Sequence, residues 1–274
     1  MKSSQPALFR KRQFEPVVIV TCVRWYLRFS LSVRDVEELM AERNLAVDHT
    51  TVWRWVQAYA PELRKRLQGQ LKYKRATWFM DETYVRVAGR WMYLFRAVDN
   101  RGATVDFYLS ETGDRDAEKR FLQTALANPD NRPPRVFSVD GNRSYGAAIR
   151  ELRSNGEFVT KCRYRRSRYR NNRIESDHRH VKRRWRAMQG ARTLATACNV
   201  IEGIEATQMI RKGQSSGLPN TIAAVRPGSS APCSVSNNTR KPFISDTYVL
   251  AAQVTTLPPR PLGLKKLFGL HLEV

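Results

Sequence analysis

The segment 78–87, WFMDETYVRV, places two adjacent carboxylates, Asp81 and Glu82, among aromatic and β-branched residues. Such residues favour a β-strand, in which successive side chains point to opposite faces. Only one of the two acids can therefore face a given site, and we assign that position to Asp81. The alternative is that both acids pair with arginines on a half-exposed strand.

The segments that follow alternate between strand-like and helix-like patterns. Runs 77–87, 90–98 and 103–110 predict an antiparallel meander with turns at 88–89 and 99–102. Further elements are expected at 114–127 (helix), 135–139 (strand), 145–153 (helix), 158–162 (strand) and from near 172 (helix). This order matches the RNase H-like arrangement, an α/β fold with a mixed sheet flanked by helices.

Acids in that arrangement lie on the first strand, at the end of the fourth strand and on a following helix. Here these positions hold Asp81, Asp140 and Glu175. Phosphodiester chemistry uses two divalent cations, and Mg²⁺ or Mn²⁺ take carboxylate oxygens as ligands. Three converging carboxylates would hold two such ions. Without metal they would repel one another, so that nearby arginines or a raised pKa would have to compensate.

N-terminal to the sheet, apolar residues repeat at helical spacing in segments 17–29 and 33–44 and in a third segment that Asp48 caps. The third helix carries an apolar stripe, and Pro61 is expected to end or kink it. Its other face presents His49, Thr50, Thr51, Arg54 and Gln57. The short connection 45–47 predicts a helix-turn-helix that reads base edges. Three short helices without DNA are the alternative.

The charge balance favours a polyanionic partner. The chain has 48 Lys and Arg against 25 Asp and Glu, a formal net charge of +23. Counterion release then favours double-stranded DNA. An anionic membrane surface is the rival, but we expect no membrane association, because the sequence has neither a terminal amphipathic basic helix nor a long apolar run. Four scattered cysteines without a CxxC pair indicate reduced thiols in a cytoplasmic protein.

Four stretches closely resemble the D-D-E transposases of the insertion-sequence-6 family. They are VDHTTVWRWVQAYAPEL (47–63), MDETYVRVAGRWMYLFRAVD (80–99), YRNNRIESDH (169–178) and GIEATQMIRKGQ (203–214). The resemblance covers residues from about 15 to 214. In addition, 34 residues (141–174) separate Asp140 from Glu175, the spacing expected in that family. One departure is Gly141, where many relatives carry a lysine.

The resemblance implies a helix-turn-helix that recognises terminal inverted repeats and a catalytic domain that nicks DNA and joins the freed 3′-hydroxyl to a target strand. It implies replicative movement through a cointegrate by a homo-oligomer, in a bacterial, nucleoid-associated setting. By it, Asp81, Asp140 and Glu175 are metal ligands and Lys182 is a phosphate or DNA contact. Asp177 and His178 match the family pattern as residues that orient Glu175 or its helix, with a surface role as the alternative.

A basic arm, KCRYRRSRYRNNR (161–173), interleaves tyrosines with arginines before Glu175. Arginine grips phosphates and tyrosine stacks on unpaired bases, so Arg168, Arg170 and Arg173 are predicted DNA contacts. The alternative is a solvated basic loop. Two rival functions also remain open: an inactive copy that only binds DNA, and a nuclease of the same fold without strand transfer.

These patterns divide the chain into five segments. A flexible basic N-terminus (1–15) precedes a helix-turn-helix domain (16–67), a linker (68–75) and an RNase H-like D-D-E catalytic domain (76–214). An amphipathic helix at 193–214 is expected to close the catalytic domain against the sheet. An atypical, poorly ordered tail (215–274) is low in large apolar residues and rich in proline.

Overall fold

The computed structural model describes residues 7–72, 74, 76–140, 144–158, 162–166, 172–188 and 191–215. Its centre is a five-stranded mixed sheet in the order β3-β2-β1-β4-β5. The strands are β1 (Thr77–Val87), β2 (Arg90–Asp99), β3 (Thr104–Ser110), β4 (Val136–Val139) and β5 (Arg163–Arg166). The first three are antiparallel, and β4 and β5 run parallel to β1. The predicted RNase H-like arrangement is confirmed.

The β1–β2 hairpin is closed by a two-residue turn. Val87 pairs with Arg90, and both Ala88 (φ 48°) and Gly89 (φ 80°) adopt left-handed backbone conformations. Positive φ at both central residues is the signature of a type I′ turn, whose twist matches that of the flanking strands. The turn fixes the register that places Asp81 opposite Arg96 and Arg86 opposite Trp91.

Seven α-helices surround the sheet in the described residues. They are α1 (Pro16–Arg28), α2 (Val33–Ala41), α3 (His49–Leu67), α4 (Arg115–Ala127), α5 (Ser144–Ser154), α6 (Asn172–Ala187) and α7 (Leu194–Arg211). The cap predicted at Asp48 is present, since its carboxylate accepts from the Thr50 amide at 2.7 Å. At the start of α2, Ser32 and Asp35 form a capping box. None of these helices is long and apolar enough to cross a lipid bilayer.

Two helix ends differ from the prediction. α2 ends at Ala41, and Asn44 (φ 58°) already belongs to the turn that follows. α3 continues through Pro61 to Leu67, so of the two expected outcomes, an end or a kink at Pro61, the helix end does not occur. Beyond it, Leu63 is buried and Arg64 pairs with Asp106 of β3 at 3.2 Å. These contacts offset the cost of about 3 kcal/mol that proline imposes inside a helix.

Each face of the sheet packs against its own core. One face, with Trp78, Phe95 and Phe137, packs on α4 and α5. The other face contributes Val85 and Leu94 to a larger cluster that includes α1, α2, α3, α6 and α7. The N-terminal helices α1–α3 and the sheet therefore share one hydrophobic core.

α7 lies at the centre of this larger cluster. It was predicted to be amphipathic, but residues on all its sides are buried, including the polar Glu205 and Gln208. A helix that is buried all round loses the polar stripe on which an amphipathic prediction depends. α7 is an inner helix between α3 and the sheet, not an outer cover.

Two segments that were predicted to be loose are packed. The N-terminal residue Phe9 is fully buried and stacks on Tyr59 with ring centroids 5.1 Å apart, which corrects the prediction of a flexible 1–15 within residues 7–15. In the predicted linker 68–75, Leu71 is buried and bridges to Ser215. The Lys72 amide donates to the Gln214 carbonyl at 2.7 Å. Of the predicted tail, 215–274, the structure describes Ser215, which is buried, and residues from 216 onward lie outside the described ones.

The last strand also lies later than predicted. The sequence indicated 158–162, whereas the structure pairs Arg163–Arg166 with β4 in parallel. Phe158 instead packs its ring on Phe137 at 5.3 Å. β5 is an edge strand made of three arginines and a tyrosine, and charged edge strands carry no alternating apolar signal.

Candidate active site and DNA-facing cleft

Asp81 and Asp140 lie at neighbouring positions of two parallel strands. The β1–β4 ladder ends with Met80 opposite Val139, so each acid is the next residue along its own strand. Glu175 lies in the first turn of α6, which packs on β1. The predicted acids therefore come from two strand positions at the same end of the β1–β4 ladder and from the start of a helix that packs on β1.

The pKa of Asp81 reflects its burial and its charged neighbours. Burial, together with the charges of Asp140, Glu82 and Glu175, raises the pKa of Asp81 from 3.8 to about 7. Like charges disfavour the ionised form of a carboxyl, and burial has the same effect. The ionised form of Asp81 is therefore disfavoured in the metal-free site.

This arrangement fits a divalent metal. Hard cations take carboxylate oxygens as ligands. A bound cation would stabilise the ionised form of Asp81, which burial and the neighbouring carboxylates disfavour. Asp81, Asp140 and Glu175 are the residues that would hold such ions.

Glu82 faces away from this site, as the strand alternation predicted. Its carboxylate accepts a hydrogen bond from the Tyr145 hydroxyl of α5 at 3.4 Å, on the opposite face of the sheet. On the side of Asp81, His178 Nδ1 lies 3.6 Å from Asp81 Oδ2. Burial, with the charges of Arg96 and Lys182, lowers the pKa of His178 to about 3, so the imidazole is neutral. At that separation it packs beside Asp81 without forming an ion pair.

A buried ionic network supports α6 behind the acids. Arg96 donates to Asp177 Oδ2 at 2.5 Å and to Glu205 Oε1 at 2.8 Å. Lys212 Nζ contacts Asp177 Oδ1 at 2.7 Å. Sequence reasoning singled out Asp177 but missed the other three residues. Arg96 and Glu205 each lie inside an apolar run of the sequence, in a strand and in a helix. Since buried charges require partners, these two residues could have been predicted to pair.

A second acidic group lies far from these residues in the chain. Among the described residues, Glu37, Asp48 and His49 are the histidine and acid side chains whose ligand atoms all fall within 4.8 Å of one another. Their atoms already have partners, since His49 Nδ1 bonds Glu37 at 3.0 Å and Asp48 caps α3. We interpret this group as the hydrogen-bonded start of α3.

The predicted DNA contacts of α3 divide into two sets. Arg54 is exposed, whereas His49 is bonded to Glu37 and the Thr50 hydroxyl donates to Asp48. Gln57 differs from both, because it is partly buried and its side chain accepts a hydrogen bond from Asn199 of α7 at 3.1 Å. Its role as a DNA contact stays a prediction. The face of α3 that packs on other helices is wider than its apolar residues indicated, because α7 also contacts the side that carries Gln57.

Other predicted contacts can be placed only in part. Lys182 is exposed on α6, seven residues after Glu175. Arg168, Arg170 and the departure at Gly141 lie outside the described residues, as does the side chain of Arg173.

A cleft of about 1280 Å³ opens between the start of α3, the β1–β2 hairpin and the second half of α6. We call it the hairpin cleft. Its cationic lining residues are Arg34, Arg86, Lys182, Arg186 and Arg192, and its aromatic lining residues are Tyr26, Trp53, Tyr84, Trp91 and Trp185. Apart from Lys182, His49 and Thr50, the cleft was not foreseen, because it joins segments that are distant in the chain.

Comparison with known proteins agrees with this geometry. A family profile described as a DDE domain matches residues 75–214. The transposase for insertion sequence-like element IS431mec of Staphylococcus aureus strain Mu50 is 37% identical over 204 residues, 74% of this chain and 88% of that protein.

This chain belongs to the insertion-sequence-6 family of D-D-E transposases. A second relative is the Staphylococcus aureus transposase for insertion sequence element IS257 in transposon Tn4003, with 36% identity over 74% of this chain and 88% of that protein. As a D-D-E transposase the chain is a metal-dependent polynucleotidyl transferase.

A distant structural likeness was also found. A solved structure of the simian T-cell lymphotropic virus intasome in complex with PP2A regulatory subunit B56 gamma aligns with a TM-score of 0.37 and 11% identity. The alignment covers 73% of this chain and 80% of that chain, a likeness too distant to inform the site.

Proposed function

We propose that this transposase binds the terminal inverted repeats of an insertion sequence, nicks the DNA at the element ends and joins each freed 3′-hydroxyl to a target strand. Movement is replicative, through a cointegrate, and a homo-oligomer acts on the paired ends. In this proposal the helices within 16–67 recognise the ends and residues 76–214 carry the chemistry.

The observation that carries the proposal is the placement of Asp81 and Asp140 directly after the last residue pair of the β1–β4 ladder, with Glu175 in the first turn of α6, which packs on β1. The pKa of Asp81, raised to about 7 by burial and by the charges of Asp140, Glu82 and Glu175, supports it. These three acids would hold two Mg²⁺ or Mn²⁺ ions. When bound, the two ions activate the attacking oxygen and stabilise the leaving oxygen. Asp177 and Arg96 fix the orientation of α6, and thereby of Glu175, relative to β1.

Both chemical steps are substitutions at phosphorus. In the first, a water oxygen forms a bond to phosphorus while the bond to the 3′-oxygen breaks, which releases the 3′-hydroxyl. In the second, that hydroxyl attacks a target phosphate and displaces the 3′-oxygen of the target strand. Arg54 and Lys182, both exposed, are the described cations we assign to DNA contact.

A strand-transfer assay tests this function. Wild-type protein, Asp140→Ala and the control Glu111→Gln, which alters an exposed acid after β3, are incubated with Mg²⁺ and DNA that carries the element ends. Joined product from the wild type and the control, and none from Asp140→Ala, is expected. Nicked DNA without joined product would instead identify a nuclease, and binding without nicking an inactive copy.

A further inference from the structure

We propose that the hairpin cleft binds an unpaired segment of DNA, with Trp91 and Tyr84 stacking on its bases. This assignment rests on the proposed function, because the strand it describes continues from the DNA that reaches the three acids.

The first observation is the exposure of two aromatic rings. Trp91 is 65% exposed and Tyr84 is 49% exposed, whereas Phe95 on the same strand pair is buried. The Tyr84 ring is braced by Tyr93, with centroids 5.1 Å apart. The Trp91 side chain makes no ring contact and no hydrogen bond with the described residues. Large apolar side chains left in water at a cleft mark a binding surface.

The charge of the cleft defines the ligand as an anion. Five arginine and lysine side chains line it, and its described lining contains neither aspartate nor glutamate. Arg86 lies directly opposite Trp91 on the β1–β2 ladder, and its Nε donates to the Gly89 carbonyl at 3.1 Å. A held guanidinium beside an exposed indole offers a phosphate contact and a stacking surface to the same nucleotide.

The aromatic rings distinguish an unpaired strand from a duplex. In a duplex the flat faces of the bases are covered by their neighbours, so proteins hold it through phosphates and base edges. Stacking of a side chain requires a base that has left the duplex.

The length of the ladder connects the cleft to the acids. Five residue steps separate the Asp81–Arg96 pair from the Arg86–Trp91 pair. At about 3.4 Å per residue this spans roughly 17 Å. That is the rise of about five nucleotides at 3.4 Å each. Because an odd number of steps turns side chains to the opposite face, Arg86 and Trp91 lie on the Glu82 side of the sheet. The cleft is lined from both faces, by Val85 as well as Arg86, so a strand that reaches the acids and Trp91 passes around the β1–β2 hairpin over at least about five nucleotides.

Equilibrium binding of tailed DNA tests this assignment. Full-length protein is titrated, in EDTA to prevent cleavage, against a labelled blunt element-end duplex and the same duplex with five unpaired thymines at either strand end. Fluorescence anisotropy gives the affinity for the blunt duplex and for each tailed duplex. We expect one tail to tighten binding and Trp91→Ala to abolish that gain, a loss of roughly tenfold. Trp91→Phe should keep most of the gain, and Tyr84→Ala should reduce it.

Phe29→Ala is the matched control, since Phe29 is 37% exposed but does not line the cleft. It should bind tailed DNA as the wild type does. A Trp91→Ala protein that binds tailed DNA like the wild type would overturn the assignment, as would an equal loss on blunt and tailed DNA. Joining by the wild type without a Trp91-dependent tail effect refutes this inference alone. A Trp91-dependent tail effect without nicking or joining refutes only the proposed function.

Discussion

Arg96 of β2 and Glu205 of α7 form an ion pair in which both side chains are fully buried, with Arg96 Nε 2.8 Å from Glu205 Oε1. The same guanidinium holds Asp177, whose pKa stays below its usual value because the charges of Arg96 and Lys212 outweigh the effect of burial. Arg96 also lies opposite Asp81 in the ladder. One buried cation thus connects the strand of the first acid with the helix of the third.

Replacement of Arg96 should lower the free energy of unfolding. Arg96→Met leaves Glu205 and Asp177 without their shared cation in the core, and such a loss costs about 3–5 kcal/mol. Urea unfolding should therefore show a free energy of unfolding lower by that amount. Arg90→Met, at an exposed position of the same strand, is the control and should change little. Equal stability of both variants would show that the network is not a stabilising unit.

Gly203 marks the closest approach of α7 to the N-terminal helices. A Cβ there would lie 2.6 Å from the Ala60 Cβ and 2.7 Å from Leu27 Cδ1. Gly203→Ala should lower the free energy of unfolding by about 1–3 kcal/mol, because the overpacking outweighs the gain in helix propensity.

Gly146 in α5 provides the matched control for that substitution. A Cβ at Gly146 would meet Tyr164 at an ordinary 3.6 Å. Gly146→Ala should therefore raise stability by about 0.5–1 kcal/mol, the usual advantage of alanine over glycine in a helix. If both alanine variants shift the thermal melting temperature in the same direction, the close packing of α7 on α3 is wrong.

Asp81 should make the metal-free protein less stable as the pH rises. Its pKa is about 7 in the folded protein against an ordinary 3.8, so the folded state holds a proton that the unfolded state has lost. That stabilisation is complete below pH 3.8 and is lost as the pH rises through 7. Asp81→Asn should therefore gain stability relative to wild type between pH 5 and pH 8, by at most about 3 kcal/mol.

Urea unfolding in EDTA at the two pH values measures this difference. The Glu111→Gln control should show the same offset from wild type at both pH values. An Asp81→Asn offset that is likewise independent of pH would mean that the carboxylates do not act on one another as described.

The sequence could predict elements whose signal is local. The strand that carries Asp81, the Ala88-Gly89 turn and the caps at Ser32 and Asp48 follow from side-chain alternation, turn chemistry and hydrogen-bonding capacity. The three acids were proposed because their order along the elements matches a known arrangement.

Features that depend on tertiary packing could not be predicted in this way. β5 is paired although its arginines resemble a loop, since its strand identity comes from the neighbouring β4. Gln57 appeared exposed because α7, which covers it, follows more than 130 residues later in the chain. The hairpin cleft joins segments from five helices and a hairpin, so neither its shape nor its charge is visible in any single stretch.

Binding of Mn²⁺ tests the central claim, that Asp81, Asp140 and Glu175 form one divalent metal site. Full-length protein bound to element-end DNA is titrated with Mn²⁺, and free Mn²⁺ is followed by electron paramagnetic resonance. The wild type and Glu37→Gln should each bind two Mn²⁺ ions per active site, and Asp81→Asn should bind Mn²⁺ at least tenfold more weakly. Unchanged binding in Asp81→Asn together with its loss in Glu37→Gln would contradict the account and place the metal at Glu37, Asp48 and His49 instead.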